Sequence, residues 1–215
     1  MWLHNPATGE LACFDAGLAE ADGRRLDVDL WLQPGAALAR PHVHDHFVER
    51  FEVRDGVLGV QVAGEEGVAR AGDAPVQVPA GTVHDWWNAG DGVARVHVLV
   101  EATPAAPGRP AARFVAMIEA LWSLGALGRV NASGTPGPLW LAAIAHEYRD
   151  AIRFSSPSGA VLRPLAAVAR RAGRDPGRPE LTGSGAACVI ADPGEAGLAE
   201  LLARPVSTRA ARGRG

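Results

Sequence analysis

The 215-residue sequence contains no lysine: all 21 of its basic side chains are arginine. We read this, with the excess of Ala and Gly, as a base-composition bias and not as a functional signal. Against 24 acidic residues the formal net charge is −3, so neither nucleic acid nor an anionic membrane surface is indicated as the main partner. Cysteine is nearly absent. Cys13 and Cys188 stand alone, without CxxC spacing, and read as free thiols in a reducing compartment. No apolar run reaches the roughly 18 residues of a membrane-spanning helix. The N-terminal MWLHNPATGE lacks a basic n-region and an apolar h-region, so no secretory signal is expected and the cytoplasm is the expected location.

The charge that is present is unevenly spread. Up to Ala105, 16 acidic residues and 7 Arg give −9; from Ala106 onward, 8 acidic residues and 14 Arg give +6. An acidic front and a basic back indicate regions of different role. The hydrophobic pattern divides the chain similarly. From Gly9 to about Val100, short stretches alternate apolar and polar residues, as in Leu26 to Leu32, Phe51-Glu52-Val53, Val57 to Val62, Val76-Gln77-Val78 and Val93 to Val100. Turn signals such as Asp55-Gly56, Gly64, Ala71-Gly72-Asp73 and Gly90-Asp91-Gly92 separate them, which predicts an all-β sandwich or barrel. Ala102 to Arg109 reads as a linker.

Helices are then expected over Pro110–Leu127, Pro138–Phe154 and Gly159–Ala172. Pro110 and Pro138 suit first-turn positions, Ser158 an N-cap, and Gly128 and Gly173 the stops; Pro164 should kink or delay the last helix. The expected domains are therefore a barrel at 1–104, a helical extension at 105–173 packed on the barrel or on a second subunit, and a flexible Arg/Gly/Pro-rich tail at 174–215, in which Cys188-Val189-Ile190 and Leu198 to Leu202 hint at minor structure. The first helix carries apolar residues on nearly all sides, from Phe114 to Leu127, and must be buried; packing is favoured over a lid or a membrane-surface element.

Chemistry concentrates in two stretches. In Pro41-His42-Val43-His44 the two imidazoles are two residues apart, which on a strand places them on one face. Glu49 follows five residues after His44; the odd offset demands a bend, expected at Asp45-His46-Phe47-Val48, after which Glu49, Phe51 and Val53 point inward. A buried carboxylate among apolar neighbours is costly unless paired or metal-bound. In the second stretch, Pro79-Ala80-Gly81-Thr82-Val83-His84 turns the chain and offers a third imidazole, ahead of Asn88.

Gly35 to Gly56 resembles the first motif of the cupin superfamily, G-x(5,6)-H-x-H-x(3,4)-E-x(6)-G, and Gly72 to Asn88 resembles the second, G-x(5,6)-P-x-G-x(2)-H-x(3)-N. NPATGE, Asp85 to Gly90 and the helical extension are similar to a bacterial group of small single-domain cupins. The resemblance implies an all-β jelly-roll barrel with an appended α-helical C-terminal region. It also implies one divalent transition metal (Fe, Mn, Ni, Cu or Zn) on His42, His44, Glu49 and His84.

Trp86, which shares the parity of His84, is expected to line the pocket with Phe51; Trp87 should face the other way. His46, in the bend, faces either the site or solvent and joins them as a candidate pocket residue. His97 reads as a satisfied core or surface residue, and His146 and Glu147 as exposed. Two functions are implied by analogy: an oxygenase-type or related metalloenzyme acting on a small organic molecule, or a small-molecule sensor whose helices engage a partner. A homodimer is expected, with no nucleic acid and no membrane span. The helix around Leu139 to Tyr148 has no Arg with which to read a groove.

Overall fold

Strict alternation sets the strands. Along Phe47–Asp55 the side chains of Phe47, Glu49, Phe51 and Val53 are buried, while Val48 and Arg50 between them are exposed. The computed structural model describes residues 1–15, 23–37, 41–131, 134–157 and 159–204. Within them the N-terminal half supplies β1 (Trp2–Asn5), β2 (Glu10–Phe14), β3 (Arg25–Leu32), β4 (His42–Val43) and β5 (Phe47–Asp55). β6 (Val57–Val62), β7 (Glu65–Arg70), β8 (Val76–Val78), β9 (His84–Asn88) and β10 (Ala94–Ala102) come next. Two short strands come later, β11 (Arg153–Phe154) and β12 (Val189–Ile190).

The larger sheet runs β12-β1-β2-β3-β10-β5-β8 and the smaller β11-β4-β9-β6-β7, with antiparallel pairing throughout. Val28 and Leu30 of β3 and Val98 and Val100 of β10 share one apolar core with Leu58, Val60 and Trp86 of the smaller sheet. This is the two-sheet antiparallel barrel with a helical region that the resemblance implied. At the β5–β6 turn Gly56 has φ +77°, and a Cβ there would lie 2.8 Å from the Cα of Ala94, so the turn needs glycine on both counts.

The described residues also form four α-helices: α1 (Pro110–Ala126), α2 (Pro138–Glu147), α3 (Gly159–Arg171) and α4 (Gly194–Ala203). Pro110 and Pro138 open α1 and α2, and Gly128 and Gly173 take left-handed φ of +65° and +69° just past α1 and α3. Ser158 lies outside the described residues. α3 begins at Gly159 without delay and runs through the exposed Pro164. No helix among the described residues is long and apolar enough to cross a membrane.

Two sequence expectations need correction. The second helix does not reach Phe154. It stops at Glu147; the N–H groups of Ala151 and Ile152 both donate to the Tyr148 carbonyl, closing a turn, and the chain then pairs as β11 with the open edge of β4, Phe154 opposite His42. Nor is the segment from Arg174 a loose tail up to residue 204. Leu181, Ala186 and Cys188 are buried, β12 pairs with β1, and the N–H groups of Gly183 and Cys188 donate to Glu119 Oε2 (2.8 Å) and Ser123 Oγ (3.2 Å) of α1. The unpaired edge of β1 and the far side of α1 supply the partners that composition does not reveal. The rest of that tail, 205–215, lies outside the described residues.

Candidate metal centre

β4 and β9 lie side by side, with His42 directly opposite His84. His44 stands just beyond the end of β4, and Glu49 comes from β5 in the facing sheet. The bend that absorbs the odd offset is shorter than expected: Asp45 and His46 make the turn, and Phe47 and Val48 already belong to β5. Asp45 is held there by a bidentate pairing with Arg153 of β11, at 2.8 and 3.1 Å. The result is a cluster in which one donor atom from each of His42, His44, Glu49 and His84 lies within 4.8 Å of every other, with none of the four residues more than 5 % exposed.

Two of the rings have their orientation fixed. A carbonyl only accepts, so the ring nitrogen beside it carries the proton. Nδ1–H of His44 donates to the Ala151 carbonyl at 2.5 Å, and Nδ1–H of His84 to the Thr82 carbonyl at 3.0 Å. Each thereby turns a bare Nε2 towards the cluster, the arrangement of a metal-ligating histidine. His84 Nε2 lies 2.7 Å from Glu49 Oε2, and His44 Nε2 lies 3.7 Å from Glu49 Oε1. The 2.7 Å approach is short, yet its alignment is not that of a hydrogen bond, and both Glu49 Oε2 and His84 Nε2 are buried without a partner. Buried lone pairs aimed at one another cost roughly 1–3 kcal/mol apiece unless something positive lies between them. The donor set therefore fits a divalent transition ion.

The electrostatics agree. Burial disfavours the Glu49 carboxylate, but the charges of His44, His84 and His42 and the contact with His84 outweigh it and hold the group at about 2. At His84 burial opposes the imidazolium, but Glu49 wins and the pKa is raised; at His44, fully enclosed, burial wins and the pKa is lowered. A proton and a metal ion would thus compete for the His84 lone pair.

Beside the cluster is a cavity of about 50 Å³, measured as space for the centres of water-sized molecules. His42, His44 and Glu49 form one wall, and Phe51 and Trp86 line it as the parity argument required. His46 does not line it. It sits half-buried in the turn, its carbonyl accepting from the Thr103 N–H. His97 lies between Asp27 (3.4 Å) and Asp29 (3.2 Å) on β3, and the exposed His146 meets Arg170. Sequence reasoning missed the part of the wall that the helical region supplies. Phe114, Met117, Ile118, Leu121 and Trp122 of α1, with Ile152 ahead of β11, close the cavity. The all-round apolarity of α1 signalled burial but not which side faces the site.

A family model described as a cupin domain matches residues 30–100, the stretch that holds both motifs and all four donors. The chain carries a cupin domain. Solved structures similar to this cupin include the cupin domain of Schizosaccharomyces pombe Cnp3, 14% identical over 47% of this chain and 68% of that one, with a TM-score of 0.39. A sugar phosphate isomerase of the cupin superfamily from Silicibacter pomeroyi is 26% identical over 46% of this chain and 63% of that one, with a TM-score of 0.40. A predicted oxalate decarboxylase from Thermotoga maritima is 19% identical over 43% of this chain and 80% of that one, also with a TM-score of 0.40. Among curated proteins none matches. The cupin match ends at residue 100, so α1 to α4 lie beyond the matched residues.

Proposed function

We propose that this cupin binds one divalent transition ion on His42, His44, Glu49 and His84, and that it is a metal-dependent enzyme acting on a small organic molecule, with oxygenase-type chemistry the favoured class. The observation that carries the reading is the pair of buried, partnerless atoms, Glu49 Oε2 and His84 Nε2, in a cluster beside an apolar cavity. An ion held there would supply Lewis acidity and, if redox-active, electron transfer between substrate and O₂. The protein's own part is to orient two of the imidazoles through the Ala151 and Thr82 carbonyls, and to exclude water with an apolar wall. Among the described residues, no titratable side chain outside the ligand set lines the cavity. The absence of a separate general base favours Lewis-acid or electron-transfer chemistry over proton abstraction by a side chain.

A second reading, a ligand sensor, draws on α1: a helix that both lines the cavity and packs on β1 could report occupancy. Metal analysis of the purified protein tests the site. About one ion per chain is expected, with loss of stoichiometric metal in His84→Ala; unchanged metal content in that variant would remove the assignment. O₂ consumption or conversion of any member of a phenol, diketone and sugar panel supports the enzyme; tight binding without turnover supports the sensor.

A further inference from the structure

We infer that the molecule taken up here is a neutral, mostly apolar compound, an aryl or alkyl group carrying one oxygen donor, and that Ile118 and Leu121 of α1 form the threshold it crosses. The donor end of this inference rests on the metal reading above; the apolar end rests on the cavity wall alone.

The wall is unusual for what it leaves out. The chain has 21 Arg, yet among the described residues none lines the cavity, nor does any Asp, Asn, Gln, Ser, Thr or Tyr. Beyond the ligands themselves, the only side-chain polar groups on it are the indole N–H groups of Trp86 and Trp122. An anionic group held anywhere but at the ligand cluster, such as the phosphate of a sugar phosphate or the second carboxylate of a diacid, would be buried with no cation to meet it, which costs several kcal/mol. A sugar would bury hydroxyls for which the wall has no partners, each a further penalty. An aromatic ring or alkyl chain suffers neither cost. It meets the faces of Phe51 and Trp86, whose centroids are 6.1 Å apart, and of Phe114, which lies 5.0 Å from the His44 ring. An oxygen at one end of such a molecule would be the single polar atom that the ligand cluster can satisfy.

The way in is marked by exposure. Of the residues lining the cavity, Ile118 and Leu121 are half-buried while the others are buried. They sit three apart, on one side of α1, so both belong to one rim.

The test uses the full chain, its metal content measured, and N-phenyl-1-naphthylamine, a neutral fluorescent probe. Saturable probe fluorescence is expected, displaced by phenols and alkyl ketones but not by glucose 6-phosphate or oxalate at the same concentrations. Ile118→Arg and Leu121→Arg should each weaken the probe at least tenfold with metal content unchanged. Ile118→Trp, which keeps the position apolar and only narrows the rim, covers the event that an Arg variant fails to fold, and should also weaken binding. Competition by the sugar phosphate or oxalate as effective as that by phenols, or wild-type probe affinity in the folded rim variants, would overturn the inference. Probe binding and phenol displacement in protein that holds no metal would sink the metal reading and leave the apolar pocket standing. Stoichiometric metal with no probe binding would do the reverse.

Discussion

Glu10 is fully buried in the β1–β2 hairpin, where Thr8 Oγ1 (2.5 Å) and Asn5 Nδ2 (3.3 Å) both donate to Oε2 while Oε1 has no partner. Burial drives its pKa from the ordinary 4.5 to about 7, against the pull of those two bonds. An acid whose pKa is raised by folding is best tolerated while protonated. Its contribution is therefore complete below about 4.5 and is lost as the pH climbs through about 7. The shift corresponds to something on the order of 3 kcal/mol. Melting temperatures should fall between pH 5 and pH 8 in the wild type and fall less in Glu10→Gln; equal slopes would show that Glu10 is not the titrating group. This residue was invisible in the sequence. NPATGE is readable only through its resemblance to small cupins, and nothing in its letters announces that the turn folds inward. The convergence of His42, His44, Glu49 and His84 was legible for the opposite reason: a two-residue spacing on a strand and a fixed distance from a turn dictate direction. His46 lacked such a constraint, because a turn residue has no parity, and it does not line the cavity.

Among the elements, β6 and β9 depend on one close approach. Gly59 pairs with Trp87, and the indole lies across it so tightly that a Cβ would come 2.2 Å from Cε2. Gly59→Ala must displace the ring and should cost about 1–3 kcal/mol in urea unfolding. In a Trp87→Ala background the same substitution should cost little, and an undiminished penalty there would mean that strand backbone, not the indole, is responsible. The long strands were readable because period two persists over eight or nine residues in β3, β5 and β10. β11 and β12, two residues each, carry no periodicity; they exist because β4 and β1 present open edges. α1 was readable as buried but not as two-sided, since apolar residues that face a cavity and those that face β1 look alike in a string of letters.

At the scale of the molecule, the barrel and the later half of the chain are stitched together in both directions. That half lends a strand to each sheet, and the segment after Thr182 covers the far side of α1. Deleting 183–215 removes β12, α4 and the burial of Ala186 and Cys188, strips Glu119 of its Gly183 partner, and should lower the melting temperature by roughly 5 °C or more. Metal content should survive, because the deletion touches no ligand; an unchanged melting temperature would show the segment to be ornamental.

The carbonyl that orients His44 lies 107 residues further along the chain. A ribosome releases His42, His44, Glu49 and His84 well before Ala151 emerges, and until then the His44 ring has no acceptor to choose its tautomer. An ion bound at this cluster would therefore find the His44 ring oriented only once Ala151 has emerged, and a chain stalled before that point would offer it a lopsided, weaker grip.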